Sequence, residues 1–215
     1  MRILVFDTET TGLPKYRLPA KQQANNWPHI VSISWMLLND NELISSRSFV
    51  IKPRWTIPPE STAIHGITQD YANMHGEDLE YVMNEFISEK YDVLIAHNLN
   101  FDENVVVNAI YWDLARKTFD EFPGRKRCTM ELSKDLCKLP GRYRGYKPPK
   151  LSELYYYVFR RYPDSKQLHN SLYDVEILVE ILLSSKTLRD AMRLVAPDHV
   201  INNESSTKKV TSIML

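Results

Sequence analysis

Four carboxylates and a histidine stand in three separated frames of this 215-residue chain: Asp7 and Glu9 in ILVFDTETTGLP, Asp102 in LIAHNLNFDEN, and His169 with Asp174 in LHNSLYDVEIL. Carboxylate oxygens are the preferred ligands of hard divalent cations, and two such cations about 3.5–4 Å apart clamp the attacking and leaving oxygens of a phosphate ester. A histidine beside them suits a general base for water. The residue types therefore point to a two-metal phosphodiesterase.

Each frame also has a plainer reading. The chain contains four D-x-E pairs, Asp7/Glu9, Asp40/Glu42, Asp78/Glu80 and Asp174/Glu176. Only the first closes an apolar strand, where the period of two puts both acids on one side of a sheet and their repulsion calls for a cation. Asn100-x-x-Glu103 reads as a helix cap, with Asp102 as an ordinary first-turn acid, and Ser171-x-x-Asp174 reads the same way. His169 stands five residues before Asp174, a spacing that a helix would splay apart, so it belongs in the loop feeding the helix.

The elements that must carry these groups follow from periodicity. Met1 to Phe6 reads as a central strand buried on both faces. His29 to Leu38 and Leu43 to Ile51 flank the turn Asn39–Glu42, a hairpin signal. Pro58 and Pro59 precede a short helical piece, and Glu77 to Glu89 has helical spacing. Val93 to Ala96 is a further buried strand, followed by a helix from Phe101 to Lys117 with Asn100 as N-cap. Arg127 to Met130 is a last short strand. Helices over Leu151–Arg161, Ser171–Ser184 and Thr187–Leu194 close the domain. The order predicts an α/β fold with a mixed sheet. Residues 1–200 are expected to form one domain and 201–215 a flexible tail.

Composition sets the remaining bounds. Lys plus Arg and Asp plus Glu are 27 each, so bulk charge names no partner. Gly124 to Lys150 nevertheless holds nine basic residues against Glu131 and Asp135, an excess that marks either a polyanion track or a solvated face. Cys128 and Cys137 form no C-x-x-C and no cluster with histidine, which indicates reduced thiols. No secretion signal and no 18-residue apolar run is present. The expectation is a soluble intracellular protein, cytoplasmic or nuclear, without a membrane partner.

Taken together the three frames resemble the DEDDh (DnaQ-like) 3′-to-5′ exonuclease family of the ribonuclease H-like superfamily. DTETTGLP matches its first motif, AHNLNFD its second, HNSLYD its third, and IHGIT from Ile64 to Thr68 falls where that family has a similar segment. The likeness spans about Met1 to Leu183. Ser171 departs from the alanine common two places after the histidine, and Lys15 to Trp27 is longer than in compact members. The resemblance implies a ribonuclease H-like fold, a five-stranded mixed sheet flanked by helices. It also implies Mg²⁺- or Mn²⁺-dependent release of nucleoside 5′-monophosphates from a nucleic acid with a 3′ end, DNA favoured. Two ions would be held by Asp7, Glu9, Asp102 and Asp174, with His169 as the base. Thr10, Leu13, His65, Asn98 and Phe101 would contact the terminal nucleotide; the local charge excess, apart from the resemblance, suggests Arg142, Arg144 and Lys147 for the strand beyond it. An RNA-trimming or oligoribonuclease-type enzyme and a non-catalytic binding module are the alternatives. A polymerase or replication protein stays open as partner.

Overall fold

A computed structural model describes residues 1–142 and 144–194. The expected flexible tail lies outside the described residues, as does Tyr143. The elements run β1 (Arg2–Thr10), β2 (Ile30–Asn39), β3 (Glu42–Val50), α1 (Pro59–His65), α2 (Gln69–His75), α3 (Leu79–Ser88), β4 (Val93–Ala96), α4 (Leu99–Asn108), β5 (Arg125–Cys128), α5 (Thr129–Leu132), α6 (Lys134–Cys137), α7 (Leu151–Phe159), α8 (Ser171–Ser184) and α9 (Lys186–Ala191). The sheet order is β3-β2-β1-β4-β5. β1 pairs antiparallel with β2 and parallel with β4, so the expected mixed five-stranded sheet is present with β1 at its centre.

The strand period of two divides the core. Leu4 and Phe6, with Ile33, Trp35 and Leu94, face α3 and α4, where Val82, Met83, Phe86, Val105 and Val106 cover them. Ile3 and Val5, with Met36, Leu38, Val93 and Ile95, face α7, α8 and α9 through Leu154, Val175, Leu178, Ile181 and Leu188. Both faces of β1 are buried, which explains its apolar run from Ile3 to Phe6.

Several boundaries differ from the sequence expectation for identifiable reasons. β1 continues to Thr10, because its polar end still pairs with β2: Asp7 with Ser34 and Glu9 with Ser32. The second-motif helix begins at Leu99, and its N-cap is Asn98 in the left-handed region, φ 79°, without a side-chain cap; Asn100 lies inside the first turn. That helix does not run to Lys117. It widens into a π-turn over Ala109–Asp113 and ends where Ala115 adopts φ 56°. The widened turn lets Trp112 Nε1 donate to the Ala20 carbonyl at 2.8 Å. α8 is capped by Asn170, whose Oδ1 accepts from Leu172 and Tyr173 N–H, which leaves Ser171 free for another role. Ser171 is buried, and its hydroxyl bonds those of Ser32 and Ser34 on β2 at 3.1 and 2.8 Å. The last expected strand is Arg125–Cys128 rather than 127–130, and α9 is shorter than expected.

Candidate active site

Asp7 and Glu9 lie on the face of β1 that packs against α8, at its carboxyl end, where the apolar run of odd-numbered residues gives way to acids. Asp174 is in the first turn of α8, and His169 sits just ahead of it in the left-handed region, φ 65°, a conformation histidine visits more readily than most residues. The His169 N–H donates to Asp174 Oδ2 at 3.3 Å. One ligand atom from each of Glu9, His169 and Asp174 lies within 4.8 Å of the others. Asp102 enters from the opposite face on α4. Its Oδ1 accepts from Thr8 N–H at 3.1 Å and Thr8 Oγ1 at 2.7 Å, so the helix acid is pinned to the strand between the two β1 acids.

Glu9, Asp102 and Asp174 are buried. Burial is the main reason that their carboxyls resist ionisation, and mutual repulsion adds to it. Asp7 is raised well above the usual carboxylate range by burial, then by Asp102, Asp174 and Glu9. Glu9 is pushed up to about 9 by burial, then by Asp174 and Asp102. Asp102 reaches about 7 through burial, against the opposing Thr8 hydrogen bonds, and Asp174 about 6 through burial, against the His169 N–H. Asp174 Oδ1 is buried and has no hydrogen-bond partner among the described residues. An orphaned carboxylate oxygen among three further acids fits a divalent cation, which supplies the missing positive charge and the missing ligand bond.

The nearby residues fall into place unevenly. His65, the last residue of α1, is buried beside Thr10 and His169; burial lowers its pKa despite the Thr10 backbone, and its Nδ1 accepts from Ile67 N–H at 3.1 Å. Gly66 then caps α1 at φ 75°. A cavity of about 470 Å³ opens between this helix end and the segment feeding α8, lined by Ile64, His65, Gln167, His169 and Tyr173 among others. Leu13 is exposed, Thr10 Oγ1 donates to the Gly12 carbonyl at 2.7 Å, and Phe101 packs against Trp27. Arg142 and Arg144 are exposed in the loop before α7, whereas Lys147 is tied to Glu153 at 2.6 Å.

Sequence reasoning passed over Thr8 and His97 and took Ser171 only as half of a capping box. Thr8 pins Asp102, Ser171 pins α8 to β2, and His97 spans from Thr129 Oγ1 at its Nδ1 to the Pro149 carbonyl at its Nε2, each at 3.0 Å. Burial lowers the His97 pKa to about 4, so the ring is neutral and ties the basic loop to the second motif. The only signal for Thr8 was its place between two acids on a strand, which aims it at the opposite helix.

Comparison with known proteins bears on this geometry. Residues 4–182 match the family model RNase_T, described as Exonuclease. The chain belongs to this exonuclease family. Exodeoxyribonuclease 10 of Escherichia coli K12 is 27% identical over 183 residues, 83% of this chain and 66% of that protein. The uncharacterized exonuclease CP81 of Escherichia phage 186 is 30% identical over 156 residues, 69% of this chain and 70% of that one. Among solved structures, exonuclease X in complex with 5′-overhanging duplex DNA superposes with a TM-score of 0.55 at 25% identity, over 89% of this chain and 98% of that one. E. coli exonuclease I in complex with a dA16 oligonucleotide superposes with a TM-score of 0.64 at 17% identity, over 90% of this chain and 42% of that one, a likeness of fold. The mixed sheet with flanking helices is thus the ribonuclease H-like fold of these exonucleases. The exonuclease domain has no described helix long and apolar enough to cross a membrane.

Proposed function

We propose that this chain hydrolyses nucleic acid from its 3′ end, DNA in preference, releasing nucleoside 5′-monophosphates with Mg²⁺ or Mn²⁺ as cofactor. The observation that carries this reading is the convergence of Asp7, Glu9, Asp102 and Asp174 at one end of β1, with pKa values raised and one oxygen unsatisfied. Asp7, Glu9, Asp102 and Asp174 would hold the ions, which would polarise the phosphate and the attacking water. Bound ions of this kind neutralise developing charge and make water acidic enough to lose a proton near neutral pH.

The remaining steps belong to the chain. His169, exposed and poised ahead of Asp174, accepts the proton of the attacking water and passes it to solvent. Thr10, Leu13, His65, Asn98 and Phe101 hold the terminal nucleotide, and the cavity beside His65 is of a size that suits it. Arg142 and Arg144 contact the strand beyond, whereas Lys147 is engaged by Glu153. The names exodeoxyribonuclease 10 and the DNA-bound states of exonucleases X and I support DNA as substrate.

The test is to incubate the chain with matched DNA and RNA oligomers labelled separately at the 5′ and 3′ ends, in Mn²⁺ and in EDTA. Early loss of the 3′ label from DNA, abolished by chelator, is expected. Full activity in chelator, or early loss of the 5′ label, overturns the reading.

A further inference from the structure

The excursion between Thr11 and His29 is rigidly framed, yet its tip is held out in water. At its neck Thr11 N–H donates to the His29 carbonyl and His29 N–H to Thr11 Oγ1, both at 3.0 Å, and Lys15 N–H donates to the Asn26 carbonyl at 3.0 Å. The buried Asn26 side chain accepts from Tyr16 N–H at 2.8 Å and donates to the Tyr16 carbonyl at 3.1 Å, holding both backbone polar groups of that residue. Trp27 Nε1 donates to the Leu18 carbonyl at 2.7 Å. The frame rests on the Asp102 helix and its continuation: Ala20 N–H donates to Asn104 Oδ1 at 2.7 Å, and Trp27 packs on Phe101.

On this frame Tyr16 is 59% exposed and stands between exposed Lys15 and Arg17. Neither cation pairs with a carboxylate among the described residues, whereas Lys126 and Lys147 of the basic run are bound to Glu103 and Glu153. A hydrogen-bonded backbone that shows an aromatic side chain between two cations without carboxylate partners is complementary to a base flanked by phosphates. Little backbone entropy remains to be lost on binding.

We propose that Lys15, Tyr16 and Arg17 form a ledge that holds single-stranded nucleic acid outside the catalytic pocket, the cations on phosphates and Tyr16 stacked on a base. The origin of that strand at the pocket rests on the exonuclease reading; the contact itself does not. Tyr16 lies seven residues from Glu9, at most about 24 Å along extended chain, so a strand seated in the pocket reaches the ledge within a few nucleotides.

The experiment uses the full chain, the variants Lys15→Gln/Arg17→Gln, Tyr16→Ala and Tyr16→Phe, and two probes, a sixteen-nucleotide single-stranded DNA and a dinucleotide. Affinity is read in Ca²⁺ across a salt series and single-turnover cleavage in Mg²⁺. The double variant is expected to flatten the slope of log affinity against log salt for the long probe by about 1.4, two contacts at about 0.7 each. Tyr16→Ala should weaken long-probe binding roughly 5- to 100-fold with the slope unchanged, and Tyr16→Phe should restore it. All variants should cleave the dinucleotide at the parent rate. Parent-like affinity and slope in both the double variant and Tyr16→Ala, or equal losses on the dinucleotide, overturn the ledge. If the parent chain cleaves neither probe while ledge variants still lose long-probe affinity, the exonuclease reading fails and the ledge stands.

Discussion

His169 combines an exposed imidazole with a left-handed backbone, so alanine there would change two things at once. Asparagine tolerates positive φ, and His169→Asn isolates the chemistry: turnover should fall by roughly 10²–10⁴ with melting temperature nearly unchanged. A variant at parent turnover would reduce His169 to a loop residue. Asp102 is separable in the same way. Asn at 102 keeps an oxygen for both Thr8 bonds while removing a charge that burial makes costly. Asp102→Asn is therefore expected to raise metal-free stability near pH 8 by about 1–2 kcal/mol, at about 2–4 °C per kcal/mol, and to abolish most of the turnover. Lowered stability with near-normal turnover would mark Asp102 as a structural first-turn acid.

At the scale of elements, the strands and the third-motif helix were legible in the sequence because each has a single dominant signal. β1, β4 and the β2–β3 hairpin are apolar or alternating runs with clear turns, and α8 is an apolar helix with a cap. The five acidic and histidine positions were legible as a set, through their order and frames. Partner-dependent features were not. The start of α4 is set by the left-handed Asn98 rather than by a side-chain cap, and its π-turn is joined to Ala20, some ninety residues earlier. Ser171 likewise looked like half of a capping box, because nothing local shows that two β2 hydroxyls await it. The serine trio sets the distance of α8 from the sheet, which gives a prediction. Ser171→Ala should cost about 1 kcal/mol in a urea melt and leave turnover within a few-fold. Ser171→Leu should cost about 1–3 kcal/mol and also depress turnover, because the larger side chain displaces the helix that carries Asp174. Equal turnover in the two variants would show that this spacing does not matter to the site.

For the whole molecule, the four acids form a store of destabilising charge. Free carboxylates ionise near pH 4, whereas in the fold Asp174, Asp102 and Glu9 do so at about 6, 7 and 9. Between these limits the folded state binds more protons than the unfolded one, so metal-free stability should fall as pH rises from about 4 to about 9. Calorimetry in EDTA should give a higher melting temperature near pH 5 than near pH 8, and millimolar Mn²⁺ should raise it more at the higher pH. A flat profile with no Mn²⁺ effect would mean that the acids do not share one site. The same arrangement has a consequence for synthesis. Asp7 and Glu9 leave the ribosome first, Asp102 midway, and His169 and Asp174 only with α8, whose docking on β1 closes the group. Chains grow from the N-terminus, so on the proposed mechanism a nascent polypeptide holding only the first two frames lacks both the base and the fourth acid. On the proposed mechanism, hydrolytic competence arrives with α8.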